Sequence, residues 1–141
     1  MVTKIFLDTN IILDVFDDKR IFHQDSVSVY KLVEDGTLSA FLSETVLTVT
    51  DYILQKVMTS KNRKMLFKEL NGLIKILPCT NKSFEKALHY NFKDLEDALL
   101  YEIALENNLD YFVTNDMDAK KKLQSSIMQV ISPKGLLKIL A

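Results

Sequence analysis

The sequence has few of the residues that crosslink a chain or form glycine-rich loops. It contains one cysteine, three glycines and no tryptophan in 141 residues. With Cys79 as the single thiol, neither an intrachain disulfide nor a cluster of thiolate metal ligands can form. With so few glycines, neither a glycine-rich phosphate loop nor a dinucleotide fingerprint is present. We therefore expect no nucleotide cofactor.

Long apolar runs are absent as well. The first apolar run, at residues 5–7, ends at Asp8, so the N-terminus lacks the apolar core of a signal peptide. No stretch reaches the length of a transmembrane helix. The sequence therefore predicts a cytoplasmic protein with no membrane partner.

The charge balance does not by itself indicate a nucleic-acid-binding protein. There are 18 basic and 19 acidic residues, which leaves a net charge of −1. Two basic clusters occur, and either could be a solvated helix face or a surface that meets phosphates beside an acidic site. They are Lys56, Lys61, Arg63, Lys64 and Lys68, and then Lys120, Lys121 and Lys122.

Apolar runs alternate with segments of helical periodicity along the whole chain. A hydrophobic content of 48% and a charged content of 26% fit one compact domain over 1–141. Such alternation predicts an α/β fold of three layers, α/β/α, around a mainly parallel five-stranded sheet. The predicted strands are 3–7, 38–42, 73–77, 111–114 and 127–131. The predicted helices are 10–16, 22–35, one that follows the N-cap Ser43 and runs to about residue 58, 62–71, one opening at Ser83, 98–106 and one opening at Ser132.

Acidic side chains recur where predicted strands end or helices begin. Asp8 follows the first strand, Asp116 follows the fourth, and Asp94, Glu96 and Asp97 open the helix before it. The carboxyl ends of parallel strands meet at one edge of a sheet, where ligands bind. Carboxylates brought together need a counter-charge, and hard oxygen donors favour Mg²⁺ or Mn²⁺. Such an ion suits phosphoryl chemistry.

Each of these acids also has a purely structural interpretation. Asp8 could cap the helix that follows it, as could Thr9 or Asn10. Asp94 is well placed as a helix N-cap, and Glu96 and Asp97 as first-turn acids that the helix dipole favours. The residues alone leave both interpretations open.

Three segments together resemble the PIN domain. They are residues 5–14 (IFLDTNIILD), 94–99 (DLEDAL) and 111–116 (YFVTND), and the resemblance extends to the final helix after Ile131-Ser132-Pro133. It implies a small α/β/α ribonuclease whose clustered acids bind Mg²⁺ or Mn²⁺, so that water attacks an RNA phosphodiester. It further implies homodimers and, in single-domain bacterial and archaeal members, toxins that a small antitoxin silences.

The resemblance assigns roles to individual residues. Asp8, Asp97 and Asp116 match the family's catalytic, metal-binding acids, and Asp94 resembles an additional ligand. The residues expected to support them are Asn10, Thr114, Glu96, Asp14 and Thr48.

One position departs from the family pattern. The family usually has a glutamate on the helix after the second strand, roughly where Val49 stands here. Glu44 lies at the start of this helix and Asp51 two positions beyond Val49, a rotation of about 200°. Thr48 would offer a hydroxyl in that space.

Three hypotheses follow. The first is a metal-dependent endoribonuclease, the toxin of a toxin–antitoxin pair. The second is a degenerate PIN domain that binds RNA or a protein partner without cleavage. The third is a phosphotransfer domain of the receiver or haloacid-dehalogenase type. The dehalogenase type needs a second aspartate where Asn10 stands, and the receiver type needs an acidic pair that the first strand lacks.

Overall fold

Five strands form one sheet in the computed structural model, which describes residues 1–123 and 127–141. All of its neighbouring strands are parallel, in the order β3-β2-β1-β4-β5. The strands are β1 (Thr3–Leu7), β2 (Leu38–Ser43), β3 (Ile74–Leu77), β4 (Tyr111–Val113) and β5 (Gln129–Ile131). The predicted fold class is confirmed, and the sheet is wholly rather than mainly parallel.

Helices connect the strands and cover the sheet. Ile5, Phe6 and Leu7 alternate between the two faces of β1, yet each is at most 1% exposed, so both faces are covered. The helices are α1 (Thr9–Phe16), α2 (His23–Glu34), α3 (Glu44–Leu54), α4 (Ser60–Asn71), α5 (Asn81–Ala87), α6 (Leu95–Glu106), α7 (Met117–Lys121) and α8 (Pro133–Leu140).

The centre of the core lies between β1 and β4. The rings of Phe6 and Phe112 stack with their centroids 5.1 Å apart, and Tyr101 of α6 packs against Phe112. The register pairs Leu7 with Val113, so the residues that follow these two strands leave the sheet side by side. The core thereby fixes the position of Asp8 relative to Thr114.

Several element ends differ from the sequence prediction. The helix predicted to open at Ser83 begins at Asn81, because Thr80 is its N-cap. The Thr80 hydroxyl accepts from the Ser83 backbone N–H, and the Ser83 hydroxyl accepts from the Thr80 backbone N–H. The helix predicted to run to residue 58 ends at Leu54, and α6 begins at Leu95 rather than at residue 98.

Two further features bear on later arguments. Cys79 is exposed just beyond the end of β3. In the part of the chain that the structure describes, no helix combines the length and the apolar composition needed to cross a bilayer.

Candidate functional site

Asp8 stands at the carboxyl end of the central strand and uses its two carboxylate oxygens differently. Its Oδ1 accepts from the Thr9 backbone N–H at 2.8 Å, which caps α1. Its Oδ2 accepts from the Thr114 hydroxyl at 2.8 Å and from the Asn10 amide at 3.3 Å. The side chain is buried, and its backbone N–H donates to the Val113 carbonyl of β4. The same residue therefore caps a helix and presents an oxygen at the sheet edge.

Thr114 and Asn10 hold that oxygen in place. The Thr114 hydroxyl accepts from the Asn10 amide at 3.1 Å and from the Asp116 backbone N–H at 2.9 Å, while it donates to Asp8. The Asn10 side-chain oxygen accepts from the backbone N–H of Asn115 at 2.9 Å. These bonds tie the start of α1 to the segment that follows β4.

Asp14 lies in a separate buried network behind these residues. Its carboxylate accepts from Arg20 at 2.6 Å, from the Ser26 hydroxyl at 3.2 Å and from the Asn115 amide. Since the Asn115 backbone also contacts Asn10, the network braces the segment that carries the site.

Lys120 places a cation between two of the predicted acids. Its Nζ lies 3.4 Å from Asp8 Oδ2 and donates to Asp97 Oδ1. Asp97 lies in the first turn of α6, and Lys120 lies on α7 with its side chain 8% exposed. Asp8 and Asp97, far apart in sequence, thus converge on one ammonium group.

Sequence reasoning did not assign Lys120 to the site. It grouped Lys120 with Lys121 and Lys122 as a basic run; Lys122 is exposed, and the side chain of Lys121 lies outside the described part of the chain. No local signal was available, because its partners Asp8 and Asp97 are distant from it in the sequence.

The remaining predicted acids lie around this ion pair. Asp94 is exposed and caps α6 by accepting from the Glu96 backbone N–H at 3.0 Å. Asp116 stands at the N-cap position of α7. Together with Asp94 and Asp97, Asp116 lines a pocket of about 570 Å³ that also contains Lys93 and Lys122. The lining of this pocket therefore combines acidic and basic side chains.

Burial and neighbouring charges shift the pKa values in the site. Burial raises the pKa of Asp8, although Lys120 and the hydrogen bond from Thr114 act in the opposite direction. Burial would lower the pKa of Lys120, but the carboxylates, led by Asp8, raise it above its ordinary value. Burial and then the neighbouring Asp94 raise the pKa of Glu96. Lys120 is therefore held in its charged form.

Thr48 lies apart from this cluster. Its hydroxyl donates to the Glu44 and Thr45 carbonyls of its own helix, and it lines a different, largely apolar pocket next to Asp51. Asp51 pairs with Arg63 at 2.7 Å, and Glu44 is exposed in the first turn of α3. α3 therefore places its two acids elsewhere than beside Asp8.

The donor set fits a divalent cation in charge and chemistry. Asp8 and Asp97 already direct carboxylate oxygens at one cation, and Mg²⁺ and Mn²⁺ prefer such oxygens. Within residues 1–123 and 127–141, however, no three Asp, Glu, His or Cys side chains are grouped as metal ligands. An ion shared by Asp8 and Asp97 would need the position that Lys120 Nζ occupies.

Comparisons with known proteins agree with this architecture. The pattern of the PIN domain matches residues 4–118. Ribonuclease VapC1 of Aquifex aeolicus (strain VF5) is 31% identical over an alignment of 118 residues, and the match covers 80% of this chain and 81% of that protein.

Two solved structures share the fold. VapC20 of Mycobacterium tuberculosis, described as a toxin that cleaves the sarcin-ricin loop, has a TM-score of 0.65 at 15% identity, over 81% of this chain and 91% of that one. VapBC2 of Rickettsia felis, bound to a DNA fragment from its promoter, has a TM-score of 0.70 at 14% identity, over 92% of this chain and 98% of that one.

Proposed function

The chain belongs to the PIN domain family, and from that premise we propose that it is a metal-dependent endoribonuclease that hydrolyses RNA phosphodiester bonds. The observation that carries the proposal is the convergence of Asp8 and Asp97 on one cation at the carboxyl edge of the sheet. We further propose that residues 1–141 form one domain, since β5 and α8, beyond the matched region, complete the sheet and the core. We also propose that the protein acts in the cytoplasm, where its proposed RNA substrate occurs.

The mechanism assigns a task to each group of residues. Asp8, Asp97 and Asp116 would hold Mg²⁺ or Mn²⁺, with Asp94 at the rim of the pocket. When bound, such an ion neutralises phosphate oxygens and lowers the pKa of a water molecule. Thr114 and Asn10 hold Asp8 Oδ2 in place beside Lys120, and Oδ1 stays bonded to the backbone N–H of Thr9 in the helix cap.

The pocket beside the acids suits the substrate. Lys93 and Lys122 line it together with Phe92, so cationic groups and an aromatic ring lie next to the carboxylates. Ammonium groups attract backbone phosphates, and aromatic rings accept stacked bases in single-stranded RNA. We propose that the RNA strand enters through this pocket.

Cleavage of RNA by the purified protein tests the proposal. We expect cutting of single-stranded or structured RNA with Mn²⁺ or Mg²⁺, and loss of cutting with EDTA. Asp8→Asn and Asp97→Asn should reduce the rate by two or more orders of magnitude, since each removes a charge that stabilises the reacting groups. Glu85→Gln, an exposed acid on α5, is the matched control and should retain the rate.

A degenerate PIN domain that binds RNA or a protein without cleavage is the second candidate. One observation favours it: Val49 stands where the family usually has a glutamate. Tight RNA binding without cutting, with either ion, would establish this candidate in place of the first. Membership in the PIN family removes the receiver and dehalogenase alternatives.

We also propose an antitoxin partner and a homodimer. The support comes from the relatives, since the Rickettsia felis protein was solved as VapBC2 on promoter DNA. In this chain, several large apolar side chains on or beside α3, α4 and β3 are exposed, and an interface with a partner would remove them from water. They are Tyr52, Val57, Met65 and Ile76.

A further inference from the structure

Lys120 occupies the position at which Asp8 and Asp97 could share an ion. We propose that Lys120 and a divalent cation compete for this carboxylate pair, so that Lys120 is a positioning residue that sets the metal affinity and leaves the pair when metal binds. This inference rests on the proposed function, because it concerns the same metal site.

The distances between Asp8, Asp97 and Lys120 leave room for either the ammonium group or a metal ion between the two carboxylates, but not for both. The ammonium nitrogen lies 3.4 Å from Asp8 Oδ2 and is bonded to Asp97 Oδ1. Mg²⁺ binds carboxylate oxygens at about 2.1 Å, so an ion shared by the same two oxygens would overlap the ammonium group. Two cations within a few ångströms of each other also repel strongly in a buried setting. One of them must leave.

The surroundings of Lys120 favour its retention when no metal is present. Without Lys120, the contacts of the buried Asp8 carboxylate in the described part of the chain would be neutral ones, from Thr9, Asn10 and Thr114, and a buried charge without a counter-charge is costly. Lys120 lies within hydrogen-bonding reach of Asp97, and the charge of Asp116 acts on it as well. The lysine therefore stabilises the metal-free protein.

The structure also provides a place for the displaced ammonium group. Lysine carries its charge on a flexible four-carbon stem, and the pocket of about 570 Å³ opens beside Asp97 and Asp116. Rotation of the side chain toward this pocket would free both carboxylates and leave the charge near the proposed path of the RNA.

Calorimetric titration with Mn²⁺ measures the competition directly. Lys120→Gln should bind Mn²⁺ roughly tenfold or more tightly than the wild type, because a like charge no longer opposes the ion. Lys120→Arg keeps the charge and should not gain affinity. Lys75→Gln removes an exposed lysine on the edge strand β3 and should bind as the wild type does. Equal or weaker binding by Lys120→Gln would overturn the proposal.

Lysine labelling of the wild-type protein gives a second readout that needs no substitution. Acetylation followed by mass spectrometry should find Lys120 protected in EDTA and reactive with saturating Mg²⁺ or Mn²⁺. Exposed Lys75 should react equally in both conditions. Equal labelling of Lys120 with and without metal would contradict displacement, and this holds even if Lys120→Gln does not fold.

Neither readout depends on RNA cleavage, so the two proposals can fail separately. Metal-linked exposure of Lys120 without RNA cutting would uphold the competition and reject the nuclease. Metal-dependent cutting with an unchanged Lys120 would uphold the nuclease and reject the competition.

Discussion

At the scale of single residues, the candidate site depends on the different hydrogen bonds that the two carboxylate oxygens of Asp8 accept. The cap bond from Thr9 takes Oδ1, and the Thr114 hydroxyl takes Oδ2 from the side of β4. Thr114 is fully buried, and its hydroxyl also accepts from the Asp116 backbone N–H. A single hydroxyl thereby links two of the proposed metal ligands.

Thr114→Val tests that link, because valine keeps the shape and removes the hydroxyl. We expect the free energy of unfolding to fall by about 1–3 kcal/mol, since buried polar groups lose their partner. Metal-dependent RNA cleavage should fall too, as Asp8 Oδ2 loses a hydrogen bond that orients it. Urea denaturation and the cleavage assay measure both effects. Thr48→Val, at an exposed helix position, is the control; an equal loss in both variants would assign no special role to Thr114.

At the scale of secondary-structure elements, three helices begin at the same edge of the sheet. Asp8, Asp94 and Asp116 are the N-cap residues of α1, α6 and α7, and Asp97 lies in the first turn of α6. The N-terminal end of a helix carries a partial positive charge that favours carboxylates. The helix dipoles therefore offset part of the repulsion between these acids.

The connection between α2 and β2 depends on one backbone conformation. Gly36 has a φ of +83°, which L side chains rarely adopt. Gly36→Ala should lower the free energy of unfolding by about 1–2 kcal/mol, because the Cβ is strained in this region. Gly72→Ala, at a helix end with ordinary φ, is the matched control and should change it by about 0.5 kcal/mol or less. Thermal or urea unfolding of the two variants checks the contrast, and equal losses would contradict it.

How much could be predicted from the sequence differs between elements. The strands could be predicted because buried parallel strands are continuous apolar runs. The positions of Asp8 and Asp116 at the sheet edge could be predicted because Asp8 directly follows β1 and Asp116 lies shortly after β4. The N-cap at Thr80 was missed because both Thr and Ser cap helices, and the reciprocal bonds that identify Thr80 as the cap are visible only in the structure. Lys120 was missed because its partners are brought to it by the sheet and α6, and no local pattern encodes that contact.

At the scale of the whole molecule, the order of the strands explains where the site lies. The chain forms β1, β2 and β3 in one direction, then returns to place β4 and β5 on the other side of β1. The carboxyl edge at such a reversal is where open α/β sheets bind ligands. Asp8 follows β1 and Thr114 follows β4, so the site lies at the reversal.

The pH dependence of global stability should contain a contribution from Glu102. This side chain is 4% exposed on α6 and accepts from the Tyr90 hydroxyl at 2.8 Å. Burial raises its pKa, although the bond from Tyr90 acts in the opposite direction. A raised carboxyl pKa means that the folded state holds the proton more tightly than the unfolded state. Its stabilising contribution is therefore complete below the ordinary glutamate pKa and is lost as pH rises through the folded value.

Glu102→Gln isolates this contribution, because the glutamine oxygen can still accept from Tyr90. We expect the free energy of unfolding of Glu102→Gln to increase relative to that of the wild type as pH rises from 4 to 7. Urea denaturation across this range measures the difference, with Glu85→Gln as an exposed control that should follow the wild type. Parallel curves for Glu102→Gln and the wild type would contradict the assignment.

The exposed thiol just beyond β3 makes the protein suited to fluorescence reporting. Cys79 is the chain's single cysteine, so one maleimide dye would attach at one position without any engineering. Partial burial and then the charge of Glu106 raise the pKa of this thiol, so labelling should proceed faster at mildly alkaline pH. β3 lies two strands from β1, about 10 Å across the sheet. Cys79 follows the carboxyl end of β3, and Asp8 follows the carboxyl end of β1, so both lie at the same edge of the sheet. A dye there would sense the arrival of an RNA strand or a protein partner while leaving the carboxylates untouched.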